Sequence, residues 1–179
     1  ESPCQELNRV LGGGIVPGSV ILLAGEPGVG KSTLLLQVAK DMAASGRTVL
    51  YVSGEESPQQ IKLRSERLGF AGQGVFLLSE TDVDAVVNRL EETRPGLAII
   101  DSVQTLYCRD APSGPGSVVQ IREAGLRLMR WSKARQVPVL LAGYVTKDGS
   151  VAGPKVLEHM VDVVTYLESQ EFGAFRLLR

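Results

Sequence analysis

Short apolar runs alternate along the chain with longer segments in which apolar and polar residues recur at helical spacing. The apolar runs, rich in valine, isoleucine and leucine, cover residues 19–23, 48–53, 75–78, 97–100, 137–142 and 161–167. Most are nearly continuous, which is typical of parallel strands covered by helices on both faces. The segments between them predict helices over residues 31–44, 58–68, 82–93 and 116–135. This alternation predicts an α/β fold with a mostly parallel, twisted sheet flanked by helices.

The end of the chain departs from this alternation. Residues 161–168 and 174–178 are both strand-like, and a turn is predicted near residues 171–173. Two strands joined by so short a connection pair in antiparallel fashion, so we expect a C-terminal antiparallel hairpin. No internal repeat or linker divides the sequence, and we expect residues 1–179 to form one domain.

Composition narrows the class of protein. The chain has 179 residues, of which 44% are apolar and 22% are charged. A domain of this length buries roughly 70% of the surface that its unfolded chain exposes, so it needs no disulfides for stability. Nineteen lysines and arginines stand against twenty aspartates and glutamates. Overall charge therefore does not hold this protein to nucleic acid, and any such contact would be local.

The cysteines and the apolar runs exclude further classes. Cys4 and Cys108 are far apart and lack the spacing of metal ligands, so neither a zinc site nor a disulfide framework is expected. The apolar runs are shorter than the ~20 residues of a membrane span, and no signal peptide is visible. We therefore expect a cytoplasmic protein with no membrane partner.

The most informative motif is GEPGVGKS at residues 25–32, which fits GxxxxGK[ST] between a predicted strand and a predicted helix. The glycines allow successive backbone N–H groups to turn toward phosphate oxygens, and the helix N-terminus adds partial positive charge. Lys31 supplies a full charge to the outer phosphates, which also makes it a catalytic candidate, and the Ser32 hydroxyl would hold Mg²⁺. The predicted phosphate-binding residues are Gly25, Gly28, Val29, Gly30, Lys31, Ser32 and Thr33.

Asp101 directly follows the apolar run of residues 97–100. A carboxylate at the C-terminal end of a buried strand lies where ligands of open α/β sheets collect. We predict that Asp101 acts on the same Mg²⁺ ion as Ser32, through a bridging water or through another group that holds the ion. Capping of the following turn is an alternative role, and the two are compatible.

Two acidic residues, Glu55 and Glu56, lie just past the strand that follows the loop helix. A carboxylate there could orient and polarise an attacking water, which would distinguish hydrolysis from binding alone. The alternative is a helix start, because Ser57 suits the N-cap position and Pro58 the first helical position. We predict catalysis, with Glu55 preferred over Glu56.

Several segments together resemble the bacterial RadA (Sms) family of DNA-repair ATPases. They are residues 11–19 (LGGGIVPGS), 25–37 (GEPGVGKSTLLLQ), 51–57 (YVSGEES), 99–105 (IIDSVQT) and 145–162 (VTKDGSVAGPKVLEHMVD). The resemblance implies a RecA-like P-loop fold, ATP and ADP with Mg²⁺ as ligands, and single-stranded DNA as partner. It also implies a homo-oligomeric ring, a hexamer, in the full-length protein.

The resemblance also implies roles at the end of the fifth predicted strand and further domains. Thr146 and Lys147 become the candidates for sensing the γ-phosphate, while Tyr144 stands where many relatives carry a smaller or imidazole side chain. The family has an N-terminal zinc module, a Lys-Asn-Arg-Phe-Gly motif and a C-terminal domain similar to the Lon protease. None of these is visible in residues 1–179, so we expect the chain to be the ATPase core of a longer protein.

Candidate DNA contacts lie in two segments that match the DNA-binding loops of RecA-like proteins. Residues 110–116 and 147–153 are rich in glycine, proline and serine, and the basic residues within reach are Arg109, Lys147 and Lys155. Residues 117–136, which cover most of the fourth predicted helix, contain five basic side chains against Glu123 alone. This excess suits phosphate binding, an ordinary solvated face or a surface that packs on a neighbouring subunit.

Two other function classes stay open. One is a nucleotide-gated assembly ATPase of the KaiC type that acts without DNA. The other is a small-molecule P-loop kinase, which is less favoured because the candidate lid at residues 110–116 has few basic residues.

Overall fold

The computed structural model describes residues 5–145, 154–169 and 176–179, and helices alternate with strands over most of its length. The helices are α1 (Gln5–Val10), α2 (Lys31–Ala44), α3 (Pro58–Arg67), α4 (Val83–Thr93), α5 (Val118–Arg135) and α6 (Pro154–Glu158), with a 3₁₀-helix at Val103–Thr105. The strands are β1 (Val20–Gly25), β2 (Val49–Ser53), β3 (Val75–Ser79), β4 (Leu97–Asp101), β5 (Val139–Tyr144), β6 (Val163–Ser169) and β7 (Arg176–Leu178).

The seven described strands form one sheet in the order β3-β2-β4-β5-β1-β6-β7. Every neighbouring pair is parallel except β6 and β7, which are antiparallel. This confirms the predicted α/β fold with its C-terminal antiparallel pair. The turn predicted near residues 171–173 lies outside the described residues.

The hydrophobic core lies on both faces of the sheet. Alternate residues of a strand point to opposite faces, so Leu22 of β1 packs with residues of α4, α5 and α6. Its neighbour Ile21 points to the other face, where it packs with residues of α1, α2 and α3. Strands β1, β2 and β4 are buried along their whole length, as their continuous apolar sequence predicts.

The short helices are the elements that the sequence pattern did not predict. The 6-residue helix α1 and the 3-residue 3₁₀-helix span too few residues to show a helical period. Helix α1 nevertheless buries Leu7 beside α2, which adds a third helix to that face. None of the helices in the described ranges is long and apolar enough to cross a lipid bilayer.

Candidate functional site

The register of the parallel strands brings the predicted site residues to one edge of the sheet. Gly25 at the end of β1 lies beside Tyr144 of β5, and Ser53 at the end of β2 lies beside Asp101 of β4. Strands β4 and β5 are themselves neighbours. The carboxyl ends of β2, β4, β5 and β1 therefore form one continuous edge, the place where open α/β sheets bind ligands.

The glycine-rich loop leaves β1 and leads directly into α2. Gly30 occupies the N-cap position with φ of 106°, a left-handed conformation that favours glycine, and no side chain caps the helix. The amide N–H groups of the first turn, from Lys31 onward, therefore lack a side-chain acceptor at this end of the helix. A loop of this kind is suited to bind phosphate oxygens.

Lys31 is buried at the base of this loop, with 4% of its surface exposed. Its Nζ donates to the carbonyl oxygens of Gly25 and Glu26, at 2.8 and 2.9 Å, and lies 4.6 Å from the centre of the Tyr144 ring. Burial lowers the pKa of Lys31, while the charges of Asp101 and Glu55 act in the opposite direction. The loop thus holds a positive charge in a partly desolvated position, where its interaction with an anion is strong.

Asp101 ends β4 with a buried carboxylate. Its Oδ2 accepts a hydrogen bond of 2.7 Å from the hydroxyl of Tyr51, a fully buried side chain of β2. Burial, with Asp101 beside the hydroxyl, raises the pKa of Tyr51 well above its usual value of 10, so Tyr51 stays a proton donor to the carboxylate. Asp101 is therefore held in one orientation by a neighbouring strand.

Glu55 points into the same edge from the end of β2. Its Oε1 accepts a 3.0 Å hydrogen bond from Ser102 Oγ, and its Oε2 accepts one from the hydroxyl of Tyr144. Burial raises the pKa of Tyr144, and the bond to Glu55 acts in the same direction. Two donors, one after β4 and one at the end of β5, fix the plane of the Glu55 carboxylate.

The next residue, Glu56, has different surroundings. Its carboxylate pairs with Arg64 of α3, and its backbone exchanges hydrogen bonds of 3.0 Å with Ser53 Oγ. The predicted helix start is also present, because Ser57 Oγ accepts from Gln60 N, and Pro58 begins α3. Ser57 therefore caps α3 while Glu55 lies beside the glycine-rich loop, so the helix start and the position of Glu55 are compatible.

The candidate residues line one cleft of about 530 Å³. Its lining consists of Pro27, Gly28, Gly30, Lys31, Ser32, Thr33, Glu55, Glu56, Arg64 and Tyr144. Of the residues predicted for phosphate, metal and catalysis, three lie outside this lining: Gly25 at the end of β1, and Val29 and Asp101, which are buried. The structure thus brings together the loop, the lysine and both glutamates.

The donor groups at this edge of the sheet fit a magnesium–nucleotide complex. In the described part of the chain, no three His, Cys, Asp or Glu residues could together hold a metal ion. Mg²⁺ takes most of its ligands from water and from phosphate oxygens, and needs only one or two protein groups. The Ser32 hydroxyl and the Asp101 carboxylate are groups of that kind.

The predicted DNA contacts are only partly described. Thr146 and Lys147, the candidates for sensing the γ-phosphate, lie outside the described residues, so the DNA role of Lys147 also stays a prediction. Arg109 follows the 3₁₀-helix, with 73% of its side chain exposed, and forms an ion pair of 2.6 Å with the buried Asp82. Lys155 is exposed on α6.

The basic face of α5 is largely neutralised by its surroundings. Three of its five basic side chains form ion pairs: Arg127 with Asp84 and Asp110, Lys133 with Asp162, and Arg135 with Glu91. The hydrogen bond to Asp84, followed by the one to Asp110, raises the pKa of Arg127. This arrangement favours a solvated, paired helix face over a strip of charges for DNA phosphates.

Sequence reasoning missed residues that act through buried hydrogen bonds. Tyr51 sits inside an apolar strand, where a tyrosine resembles any other core residue. Gln120 of α5 is also buried, and its amide bonds to both backbone groups of Cys108 and to the carbonyl oxygens of Ala111 and Ser113. The segment after β4, which includes the candidate DNA-binding loop at residues 110–116, is therefore tied to α5. Only the polarity of Tyr51 and Gln120 at core positions could have marked them.

The parallel sheet and the glycine-rich loop between β1 and α2 define the class of P-loop nucleotide-binding proteins. The sequence profile of the AAA domain family matches residues 1–150, and the chain belongs to that family.

Curated relatives extend this similarity over the whole chain. DNA repair protein RadA of Bacillus subtilis is 50% identical over 174 residues, which are 97% of this chain and 38% of that protein. RadA of Listeria monocytogenes is 49% identical, and RadA of Streptococcus pyogenes serotype M6 is 51% identical, each over all 179 residues and 39% of the relative. The chain is thus RadA-like throughout and spans under two fifths of the length of these relatives.

Proposed function

We propose that this chain binds ATP and ADP with Mg²⁺ and hydrolyses ATP, as the core of a DNA-repair ATPase that acts on single-stranded DNA. The observation that carries the proposal is the single cleft that contains both the phosphate-binding loop with Lys31 and the carboxylate of Glu55. The match to the AAA domain family supports the ATPase core, and the relatives named DNA repair protein RadA support the role in DNA repair.

Nucleotide binding follows from the loop and its lysine. The amide groups from Gly28 to Thr33 would surround the phosphates, and the buried ammonium of Lys31 would compensate their charge. The Ser32 hydroxyl and Asp101 would hold Mg²⁺, which neutralises phosphate charge when bound. Tyr51 keeps the Asp101 carboxylate oriented for that role.

Hydrolysis rests on Glu55. An ionised carboxylate offers about four lone-pair positions, and Ser102 and Tyr144 use two of them. Glu55 can therefore accept a hydrogen bond from a water molecule beside the loop, orient it and take its proton. Glu56 is the second candidate, but its carboxylate is already paired with Arg64.

The contacts to γ-phosphate and DNA come from other segments. Thr146 and Lys147 are the proposed γ-phosphate sensors, and Arg109, Lys147 and Lys155 the proposed DNA contacts. Arg109 and Lys155 are exposed, as such contacts require. We further propose that the full-length protein, of which this chain is the ATPase core, forms a homo-oligomeric ring, a hexamer.

A nucleotide-gated assembly ATPase without DNA is the second candidate. The observation that favours it is the ion pairing of α5, which leaves that face with little net charge for DNA. A small-molecule kinase is less favoured, because the segment after β4 offers few basic side chains to a transferred phosphate.

Calorimetry on the lysine variant tests the proposal. Lys31→Ala should lose roughly 2–5 kcal/mol of binding free energy for Mg-ADP, because the phosphate charge would lose its partner. Lys62→Ala is the matched control, since Lys62 is exposed on α3 and outside the cleft lining. Equal affinity of Lys31→Ala and the parent protein would refute nucleotide binding in this cleft.

DNA separates the two candidates. Single-stranded oligonucleotide should stimulate phosphate release by the full-length protein, and Arg109→Ala and Lys155→Ala should each weaken DNA binding and reduce its salt dependence. Turnover that does not respond to DNA, together with nucleotide-dependent assembly, would favour the second candidate.

A further inference from the structure

Tyr144 is the one side chain of the described cleft that the structure shows in contact with both the phosphate-binding lysine and the candidate water-orienting carboxylate. We propose that Tyr144 is a positioning residue that links Lys31 to Glu55, its ring serving nucleotide binding and its hydroxyl serving turnover. This inference rests on the proposed ATPase function.

The backbone of Tyr144 is held on two sides. It ends β5 directly beside Gly25, and the N–H of Val145 donates to the Gly25 carbonyl at 3.1 Å. From the other side, Gln104 Nε2 of the 3₁₀-helix donates to the Tyr144 carbonyl at 3.3 Å. The side chain therefore starts from a point fixed relative to both the loop and the segment after β4.

The two ends of the side chain perform different tasks. The ring lies 4.6 Å from Lys31 Nζ, a distance at which an aromatic face attracts a cation. The hydroxyl donates to Glu55 Oε2, while Ser102 donates to the other oxygen at 3.0 Å. Burial raises the pKa of the Tyr144 hydroxyl, which therefore keeps its proton and remains a donor at neutral pH.

These contacts connect binding with chemistry. Lys31 also bonds to the carbonyl oxygens of Gly25 and Glu26, so a phosphate group that draws the ammonium outward moves it relative to the Tyr144 ring. The hydroxyl on the same ring sets the orientation of Glu55. The position of the lysine charge and the plane of the carboxylate are thus coupled through one rigid side chain.

Substitutions separate the ring from the hydroxyl. Tyr144→Phe in the full-length protein should bind Mg-ADP about as tightly as the parent but lose about tenfold or more in kcat, since one charge-assisted hydrogen bond is removed. Tyr144→Leu should lose nucleotide affinity as well. Tyr144→His keeps a ring with a donor and should restore a substantial part of the turnover lost in Tyr144→Phe.

A matched control and a double variant distinguish positioning from a merely structural role. Tyr166→Phe also removes a tyrosine hydroxyl bonded to a carboxylate, that of Glu158, outside the cleft lining, and should keep the parent turnover. Because Tyr144 acts through Glu55, Tyr144→Phe should cause no further loss of turnover in a Glu55→Gln background.

The outcomes separate this inference from the proposed function. Parent-like kcat in Tyr144→Phe beside an inactive Glu55→Gln would overturn the inference alone. The inference would also be overturned if Tyr144→Phe reduced turnover as much in the Glu55→Gln background as it does in the parent protein. Unchanged turnover in Glu55→Gln would remove both the role of Glu55 and the inference, and a protein without nucleotide affinity would remove the proposed function.

Discussion

At the scale of single residues, Glu55 and Glu56 are adjacent in sequence but differ in what holds them. Glu55 is oriented by Ser102 and Tyr144 at the edge of the sheet, whereas Glu56 pairs with Arg64 of α3. The pattern Glu-Glu-Ser-Pro predicts both a catalytic carboxylate and a helix start, and the sequence could not separate them because they overlap. Only the side-chain partners distinguish the two acids.

Glu55→Gln should therefore keep nucleotide affinity and lose about 10²–10⁴ in turnover, because the amide has the same size but cannot take a proton. Glu56→Gln should change turnover little and stability by under about 1 kcal/mol, since the Arg64 pair is partly exposed. Phosphate release and calorimetry on the full-length protein measure both effects. A large loss confined to Glu56→Gln would transfer the role to that residue.

Tyr51 shows how a residue outside every motif supports one inside it. Tyr51→Phe should weaken the Mg²⁺ dependence of nucleotide binding and cost about 1–3 kcal/mol of stability, because the buried Asp101 carboxylate would lose a donor. Denaturant unfolding and Mg²⁺ titrations measure the two effects. Tyr166→Phe, which removes a hydroxyl outside the cleft lining, serves as control, and identical behaviour of the two variants would contradict the role of Tyr51.

At the scale of elements, the long periodic segments were predictable and their mutual placement was not. The buried strands show in sequence because parallel strands covered on both faces need continuous apolar residues. The 3₁₀-helix shows no such run of apolar residues. It follows Asp101 and packs against Gly54, which lies in the loop between β2 and α3. Its position depends on a contact between distant parts of the chain, which periodicity does not report.

Gly54 lies against Thr105 of the 3₁₀-helix with no space for a side chain. A Cβ atom there would lie 2.0 Å from Thr105 Oγ1 and 2.5 Å from Thr105 Cβ, so no larger residue fits without displacement. Gly54→Ala should cost about 1–3 kcal/mol of stability. Because Glu55 is the next residue, turnover should fall more than nucleotide affinity.

Thermal unfolding and single-turnover kinetics test this contact. Gly114→Ala is the matched control for stability, because a Cβ at Gly114 meets no atom within 4 Å and its φ is not positive. Parent-like stability and turnover in Gly54→Ala would show that the two segments separate freely.

At the scale of the whole molecule, the motifs identify the residues of the site, and the order of the strands in the sheet explains how these residues come together. Glu55 lies just past the end of β2, which is separated from β1 by β4 and β5, so the loop and the glutamate come together only across four strand ends. The sequence supplies the residues and the fold class, but the strand order and the buried tyrosines depend on the packing of the entire sheet.

Tyrosines whose hydroxyls bond to carboxylates also affect how stability responds to alkali. Burial raises the pKa values of Tyr51 and Tyr144 above the ordinary value of 10, and the hydrogen bond to Glu158 raises the pKa of Tyr166 to about 12. Above pH 10 the unfolded chain loses these protons while the folded protein keeps them. Stability that is fully present below pH 10 should therefore decline as pH rises toward 12 and beyond.

Lys31 acts in the opposite sense over a lower range. Burial lowers its pKa below 10.5, so the folded protein releases this proton first and stability rises with pH until the unfolded lysine has titrated near 10.5. Above that value Lys31 no longer contributes, and the slope should be negative because the tyrosines and the Cys108 thiol, whose pKa is also raised by burial, keep their protons longer in the folded protein. Guanidinium unfolding at pH values below and above 10.5 measures this change in the slope of stability with pH. Tyr51→Phe should show a shallower decline at high pH, because one of the protons that the folded protein retains is gone. Stability that stays constant above pH 10.5, or an unchanged slope in Tyr51→Phe, would show that the hydroxyl bonded to Asp101 titrates as freely in the folded protein as in the unfolded chain.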